Sequence, residues 1–411
     1  MTRLFIIVSF LFYSCSDNNV NTYNTIIPKP VHQSIKEGFF NLSEKTEVIF
    51  DSTFENEASY VKSELLINYG KNKNVIQLIK NKSLKEEEYL LSISKNKILI
   101  EASTAKGQMH AIQSIRQLIP IKTKNNPTSI LIKCMEIHDY PKFKWRGLLL
   151  DCCRHFMEKD FVKKYIDLLA YHKMNVLHWH LTEDQGWRIE IDKYPKLTEI
   201  GAWRKDKNGD LYGGYYSKED IREIVEYAKS RHIEIIPEIE LPGHSVAAIA
   251  SYPNLSCTGK KINVETDWGV FKDIYCAGED SVFTFLEGVL SEVVELFPSK
   301  YIHIGGDEAP KYRWENCSKC QKRILENKLK DEHELQSYFI QRIEKFLAKK
   351  GKKIIGWDDI IDGGIPENAV VQSWRGTKGG ITAAENQHYA IMSPTSHCYF
   401  DYDLEAINLE K

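Results

Sequence analysis

The feature that most restricts this chain is a series of short apolar runs beginning near residue 143. Seven can be read: Gly147–Asp151, Asn175–His180, Ile233–Glu238, Tyr301–Gly305, Lys353–Trp357, Ala369–Trp374 and Tyr389–Ser393. Amphipathic stretches separate them. Ser217 opens one as an N-cap, with Asp220 three residues on in capping-box fashion. Ile221, Ile224, Val225 and Ala228 then form its apolar stripe. Another carries Leu335, Phe339, Ile343, Phe346 and Leu347 and closes at Gly351 in the C-cap position. Strands alternating with helices make parallel βα units. A series this long predicts an α/β chain folded as a (β/α)8 TIM barrel rather than an open doubly wound sheet. No Gly-rich dinucleotide fingerprint follows the first run.

Each run ends in polar or aromatic residues: Asp151 and Arg154, His180 with Glu183 and Asp184, Glu238 to His244, Asp307 and Glu308, Trp357 and Asp358, Trp374, then Tyr399 and Asp401. In such barrels the site is built at the C-terminal strand ends. The strongest of these segments is His303-Ile304-Gly305-Gly306-Asp307-Glu308. Its glycines let the backbone turn sharply, and two adjacent carboxylates follow. A carboxylate pair in a pocket splits its pKa values, so one acid stays protonated while the other stays charged.

Residues 24–130 read as a smaller α+β domain. Glu88–Ser94 and Lys97–Ala102 read as strands around a Lys95-Asn96 turn, and Ala105–Ile119 has helical spacing. Lys122–Thr128 reads as a polar linker. The barrel is expected over 140–411. Residues 1–15 read as a lipoprotein signal peptide: one Arg, an apolar run too short to span a bilayer, then Ser14-Cys15 and an abrupt polar turn. This resembles a bacterial lipobox with Cys15 as the lipidated residue. The chain is therefore expected to be exported and anchored to the outer membrane or periplasmic, touching membrane only through that lipid. Lys+Arg (55) and Asp+Glu (57) nearly cancel, which gives no electrostatic case for nucleic acid.

The 9 Cys are too sparse for a disulfide scaffold. Cys257 and Cys276 flank a loop and are candidates for a disulfide. Cys317-Ser318-Lys319-Cys320 is a lone CxxC; no second pair follows at zinc-ribbon spacing, so it reads as a local disulfide or free thiols. No metal and no cofactor are expected.

With these motifs in view, the chain resembles glycoside hydrolase family 20, the β-N-acetylhexosaminidases, over nearly its whole length. Ile27-Pro28-Lys29-Pro30 and Ile115-Arg116-Gln117-Leu118 look like the family's small N-terminal domain. Arg146–Phe156, His178–Arg188, Glu240–His244 and the Gly305-Gly306-Asp307-Glu308 segment look like its barrel motifs. The resemblance implies exo-acting hydrolysis of terminal β-linked N-acetylglucosamine or N-acetylgalactosamine on oligosaccharides or glycoconjugates. It implies a retaining mechanism in which the substrate's acetamide replaces an enzyme nucleophile. Glu308 matches the general acid, Asp307 the residue that holds the acetamido group, and Tyr399 the donor to its oxygen. Arg154 matches the arginine on the sugar hydroxyls. Trp357 and Trp374 match aromatic walls, and Asp401 a polar position near the sugar. His244 matches a histidine that supports the acid through the pair after the second strand, where the family commonly has Asp-Asp and this chain has Glu183-Asp184.

The rival enzyme reading is a metal-dependent hydrolase, since His178 and His180 point to one strand face with His303, His244 and Asp307 nearby in the scheme. Trp357 and Trp374 stand where later strands would have to supply further ligands. In the family an eighth strand follows the seventh, with a Trp and an acid that have no counterpart here. The sequence therefore predicts a barrel incomplete at its C-terminus. The alternative function is a carbohydrate-binding lipoprotein with impaired catalysis.

Overall fold

The structure, a computed structural model, describes residues 26–65, 67, 73–119 and 129–401. Cys15 and the 122–128 linker lie outside the described residues. The chain divides into two compact units, Met1–Pro141 and Lys142–Lys411.

The first unit runs β1 (His32–Ser43), β2 (Glu47–Phe50), α1 (Glu55–Glu64), β3 (Val75–Lys80), β4 (Tyr89–Ile93), β5 (Lys97–Ala102), α2 (Ala105–Leu118) and β6 (Ser129–Asp139). Its six-stranded sheet has the order β1-β6-β4-β5-β3-β2. The expected hairpin is β4–β5, antiparallel with Ile93 opposite Ile98. Thr104 caps α2 by accepting from the Gly107 amide, and α2 buries Met109, Ala111, Ile112 and Ile115 in the same core as Leu91, Ile98 and Ile100. The expected boundary at residue 130 falls too early. β6 pairs with both β1 and β4, so the strand after the linker is a central strand of this sheet.

The second unit continues with β7 (Gly147–Asp151), α3 (Lys159–Tyr171), β8 (Val176–His180), the hairpin β9 (Thr182–Glu183) and β10 (Gly186–Trp187), α4 (Lys196–Glu199), the hairpin β11 (Trp203–Lys205) and β12 (Leu211–Gly213), α5 (Lys218–Lys229) and β13 (Glu234–Glu238). Then come α6 (Val246–Ser251), α7 (Asp280–Leu296), β14 (Tyr301–His303), α8 (Tyr312–Glu315), α9 (Ser318–Glu326), α10 (Glu332–Lys349), β15 (Lys353–Trp357), β16 (Val370–Ser373), α11 (Lys378–Glu385), β17 (Ala390–Met392) and α12 (Thr395–Cys398). All seven apolar runs are strands, joined in one sheet of order β17-β16-β15-β14-β13-β8-β7. Every neighbouring pair is parallel. The helices between them make this the curled sheet of a (β/α)8 barrel, as expected. β8 is buried at every residue, whereas β17 at one end of the order has no buried residue. The capping box at Ser217 and Asp220 is present and starts α5.

The cysteine reading needs correction. Cys257 and Cys276 are free thiols, not a bridge. Cys257 Sγ lies 3.7 Å from Cys320 Sγ, and Cys276 Sγ lies 3.7 Å from Cys320 Sγ and 3.8 Å from Cys317 Sγ. The sulfurs are too far apart for a bond of about 2.05 Å.

Candidate active site

The side chains of β8 and β14 that point into the barrel are imidazoles, and they converge on Glu238 of β13. His178 Nε2 and His180 Nδ1 each stand 2.9 Å from its Oε2, and His303 Nδ1 stands 2.8 Å from its Oε1. The Trp357 indole N–H donates to Oε1 at 2.8 Å. Burial opposes the charge on Glu238, but His180, His303 and His178 outweigh it and hold its pKa well below the carboxylate range. Burial works likewise against His180, yet Glu238 keeps it well above the imidazole range, while His178 is pushed down to about 4. The i, i+2 histidines do share a face, as the metal reading required. Glu238 stands opposite them, within ion-pair distance of a nitrogen of each.

One layer further out, the β9–β10 hairpin pairs Gly186 with Glu183 and Trp187 with Thr182, which presents Glu183-Asp184 at its turn. Glu183 Oε2 meets Arg154 Nη2 at 3.1 Å and its Oε1 meets His244 Nδ1 at 2.7 Å. Asp184 Oδ2 lies 3.1 Å from the same Nδ1 with hydrogen-bond alignment, and Asp184 Oδ1 accepts from the Val246 amide at 3.0 Å. The longer Glu183 therefore reaches His244 without displacing Asp184. Burial raises Glu183, but His244 and Arg154 overcome that and keep it ionised; Asp184 is pushed up to about 6, chiefly by burial. Glu183 is thus the more readily ionised of the two.

The loop after β14 carries the two central carboxylates. Gly305 has φ +64, and a Cβ there would sit 1.7 Å from Glu240 Oε2, so only glycine lets the chain pass. Glu308 holds φ +43, an uncommon region for a residue with a side chain. His244 Nε2 is 3.5 Å from Asp307 Oδ2 and 3.5 Å from Glu308 Oε2. One imidazole therefore joins the Glu183-Asp184 pair on one nitrogen to the Asp307-Glu308 pair on the other. Burial disfavours its charge, but Glu183 and then Asp307 raise its pKa well above the ordinary value. The His244 hydrogen bond in turn lowers Glu308. Asp307 Oδ1 is buried and has no hydrogen-bond partner among the described residues. Glu308 is 37% exposed and borders a cleft of about 480 Å³ with Val270, Lys311, Gln336 and Asp359.

Arg154 is held by Asp151 Oδ2 at 3.0 Å and by Glu183, and its guanidinium lies 4.8 Å from the exposed Trp268 ring. Beneath it the fully buried Arg188 donates to the carbonyls of Cys152, Cys153, Ala202 and Gly214, which fixes the loop that bears Arg154. Trp374 is half-buried and donates to Asp359 Oδ2 at 2.9 Å; Asp359 Oδ1 accepts from the Glu308 amide at 3.4 Å. Trp357 is 6% exposed, because its N–H turns inward to Glu238, so little of its ring reaches the surface. Tyr399 is half-buried and Asp401 exposed, both beyond α12.

The structure thus brings together Asp307, Glu308, His244, Glu183, Asp184 and Arg154. Sequence reasoning passed over Glu240, Asp359, Trp268 and the structural role of Glu238. Asp359 had a signal, as the second acid after Trp357. Trp268 had none, because it stands in a loop without regular structure.

The carboxylate pair and the arginine stand beyond the C-terminal strand ends, where barrel enzymes build their sites. The family description "Glycosyl hydrolase family 20, catalytic domain" matches residues 143–411, and "Glycosyl hydrolase family 20, domain 2" matches residues 23–140. The chain belongs to glycosyl hydrolase family 20. It is 51% identical over 316 residues to a beta-hexosaminidase of Porphyromonas gingivalis, covering 76% of this chain and 41% of that protein. It superposes on the beta-N-acetylhexosaminidase of Bacteroides fragilis with a TM-score of 0.82 at 36% identity, covering 92% of this chain and 77% of the other. It superposes on the family 20 exo beta-N-acetylglucosaminidase of Vibrio harveyi, solved with N-acetylglucosamine, with a TM-score of 0.81 at 31% identity, covering 91% and 61%. The chain thus spans well under two thirds of the first of these relatives.

Proposed function

We propose that the chain is a β-N-acetylhexosaminidase that removes terminal β-linked N-acetylhexosamine from oligosaccharides or glycoconjugates, retaining configuration through the substrate's own acetamide. The observation that carries this reading is Asp307 Oδ1, a buried carboxylate oxygen without a donor among the described residues, beside the partly exposed Glu308. A buried acceptor is costly unless a donor arrives, and a substrate amide N–H is such a donor. Oriented and polarised by Asp307, the acetamide oxygen bonds to the anomeric carbon as the glycosidic C–O bond breaks. The Glu308 carboxyl gives its proton to the leaving oxygen. The Glu308 carboxylate then takes a proton from water as that water opens the oxazolinium ring. A sugar seated over Glu308 strips water from it and raises its pKa toward the acid role. Arg154 holds sugar hydroxyls with its fixed fork of donors. Tyr399, Trp374 and Asp401 complete the sugar site. Export with a lipid on Cys15 belongs to the same reading; a Cys15→Ala protein would then leave the membrane fraction.

The test is a panel of 4-nitrophenyl glycosides with a thiazoline analogue of the cyclised intermediate. Release from the N-acetyl-β-glucosaminide or galactosaminide, blocked by the thiazoline, supports the mechanism. Equal turnover of the β-glucoside, which has no acetamide, sinks it.

A further inference from the structure

Away from the carboxylates, four cysteines from two separate loops meet: Cys257, Cys276, Cys317 and Cys320, with every sulfur within 4.8 Å of the others. We propose that these four thiolates bind one zinc ion, a structural site that ties the loop after β13 to the loop after β14.

The distances carry the case. Zinc bound to four thiolates sits about 2.3 Å from each, in a tetrahedron. The edge of that tetrahedron is about 1.63 times the bond, or roughly 3.8 Å. Three of the sulfur separations are 3.7, 3.7 and 3.8 Å. Cys320 touches both Cys257 and Cys276, and Cys276 touches both Cys320 and Cys317. These contacts link all four sulfurs, which lie within 4.8 Å of one another, whereas two disulfides would draw them into two isolated pairs.

The backbone is built for this meeting. Cys317 is the N-cap of α9 and Cys320 lies in its first turn, so the CxxC presents both sulfurs from one helix end. On the other side, Ser256 bridges Tyr275 in antiparallel fashion and the Cys276 amide donates to the Leu255 carbonyl at 2.8 Å, which aligns Cys257 with Cys276. Gly278 sits so close to the CxxC backbone that a Cβ there would be 2.3 Å from the Lys319 carbonyl carbon. Cys276 and Cys320 are fully buried and Cys317 nearly so. Tetrahedral all-thiolate sets with no open position are structural rather than catalytic. The second pair needed for a zinc site precedes the CxxC in sequence and is not itself a CxxC, which is why spacing alone missed it.

The position gives the site a task. The Tyr275 amide donates to the Pro242 carbonyl, two residues before His244, and the Trp314 indole donates to the Tyr275 carbonyl. The cluster thus fastens the segment bearing His244 to the segment that follows Glu308.

The experiment is elemental analysis of the full chain purified without added metal, with alkylation and intact-mass measurement. The expected result is about one zinc per chain, with these four cysteines alkylated only after denaturation in chelator and without reductant. Refolding with cobalt should give the absorption of a tetrahedral cobalt thiolate. Cys320→Ser should lose the zinc, and Cys398→Ser, at an exposed thiol outside the cluster, should keep it. If Cys320→Ser fails to fold, the wild-type analysis still decides. A metal-free protein, with either four free thiols or cysteines that alkylate only after reduction, overturns the proposal.

Discussion

Glu238 and Glu308 are carboxylates at the ends of neighbouring strands, and the fold surrounds them in opposite ways. Glu238 closes β13 inside the barrel, wholly buried, with three imidazoles and an indole N–H on its two oxygens. Glu308 lies five residues beyond β14, over a third exposed, with His244 3.5 Å away and a backbone φ of +43. Strained backbone and spare hydrogen-bonding capacity gather where a ligand will complete the arrangement. A buried charge surrounded by side chains of three strands is closed off from a substrate and serves to lock the strands it joins. Among these acids, then, the partners around a carboxylate say more about its role than the carboxylate itself.

The largest expected effect breaks the mouth and leaves the interior intact. Glu308→Gln removes the proton donor and acceptor together and should lower kcat by about 10²–10⁴-fold. Because the side chain is partly exposed, its urea midpoint should match the wild type. A folded Glu308→Gln protein with near-normal turnover would refute the role. The converse variant, Glu238→Gln, removes the carboxylate at His180 Nδ1 and leaves that buried imidazole with Glu183 alone, 3.3 Å from its Nε2. Breaking a buried pair this way costs about 3–5 kcal/mol, so soluble yield and the urea midpoint should both fall. An unchanged midpoint would show that Glu238 is not the structural charge that its surroundings indicate.

The third test concerns the group that joins the two regions. On the proposed mechanism His244 and Glu308, 3.5 Å apart, share one proton, and the acid form of Glu308 is drawn from that pair. His244 is held well above the imidazole range, so the pair keeps its proton through neutral pH and loses it as pH rises through the raised value. The alkaline limb of kcat/KM should therefore lie above about pH 6.5, the ordinary imidazole value. In His244→Asn, Glu308 must hold its proton alone, and the limb should move acidward by more than about one pH unit toward the carboxylate range. An alkaline limb that stays where it was would disconnect His244 from the acid.

Much of this was legible in the sequence. The apolar runs became strands because continuous Ile, Leu and Val between helices has few other ways to be buried; Lys353–Trp357 is a strand over the same residues. Asp307 and Glu308 stood out because two glycines precede them. What escaped was long-range pairing. Ser129–Asp139 alternates between buried and exposed residues like any strand, but its place between β1 and β4 depends on contacts about 100 positions away. The histidines of β8 invited a metal reading because their face could be inferred from period two, whereas Glu238 opposite them could not. Cys257 and Cys276 suggested a bridge because they are neighbours in sequence, while Cys320 of the next loop brings its sulfur to 3.7 Å from each.

The smallest expected effect sharpens the comparison most, because Trp357 belongs to both regions. Its N–H donates to Glu238 Oε1, its ring centroid is 5.0 Å from that of His303, and it was expected from family resemblance as a wall of the sugar site. Trp357→Phe keeps an aromatic ring and removes the N–H. Losing a hydrogen bond to a charged acceptor costs about 1.5–3 kcal/mol, less than removing the charge, since the imidazoles still face Glu238. The unfolding free energy should fall by that amount while kcat stays within a few-fold of the wild type. A double-mutant cycle with Glu238→Gln separates the interpretations: a coupling above about 1 kcal/mol places the role of Trp357 in the interior. Additive losses with a raised KM would place it at the mouth instead, as a surface for the sugar whose contact with Glu238 contributes little.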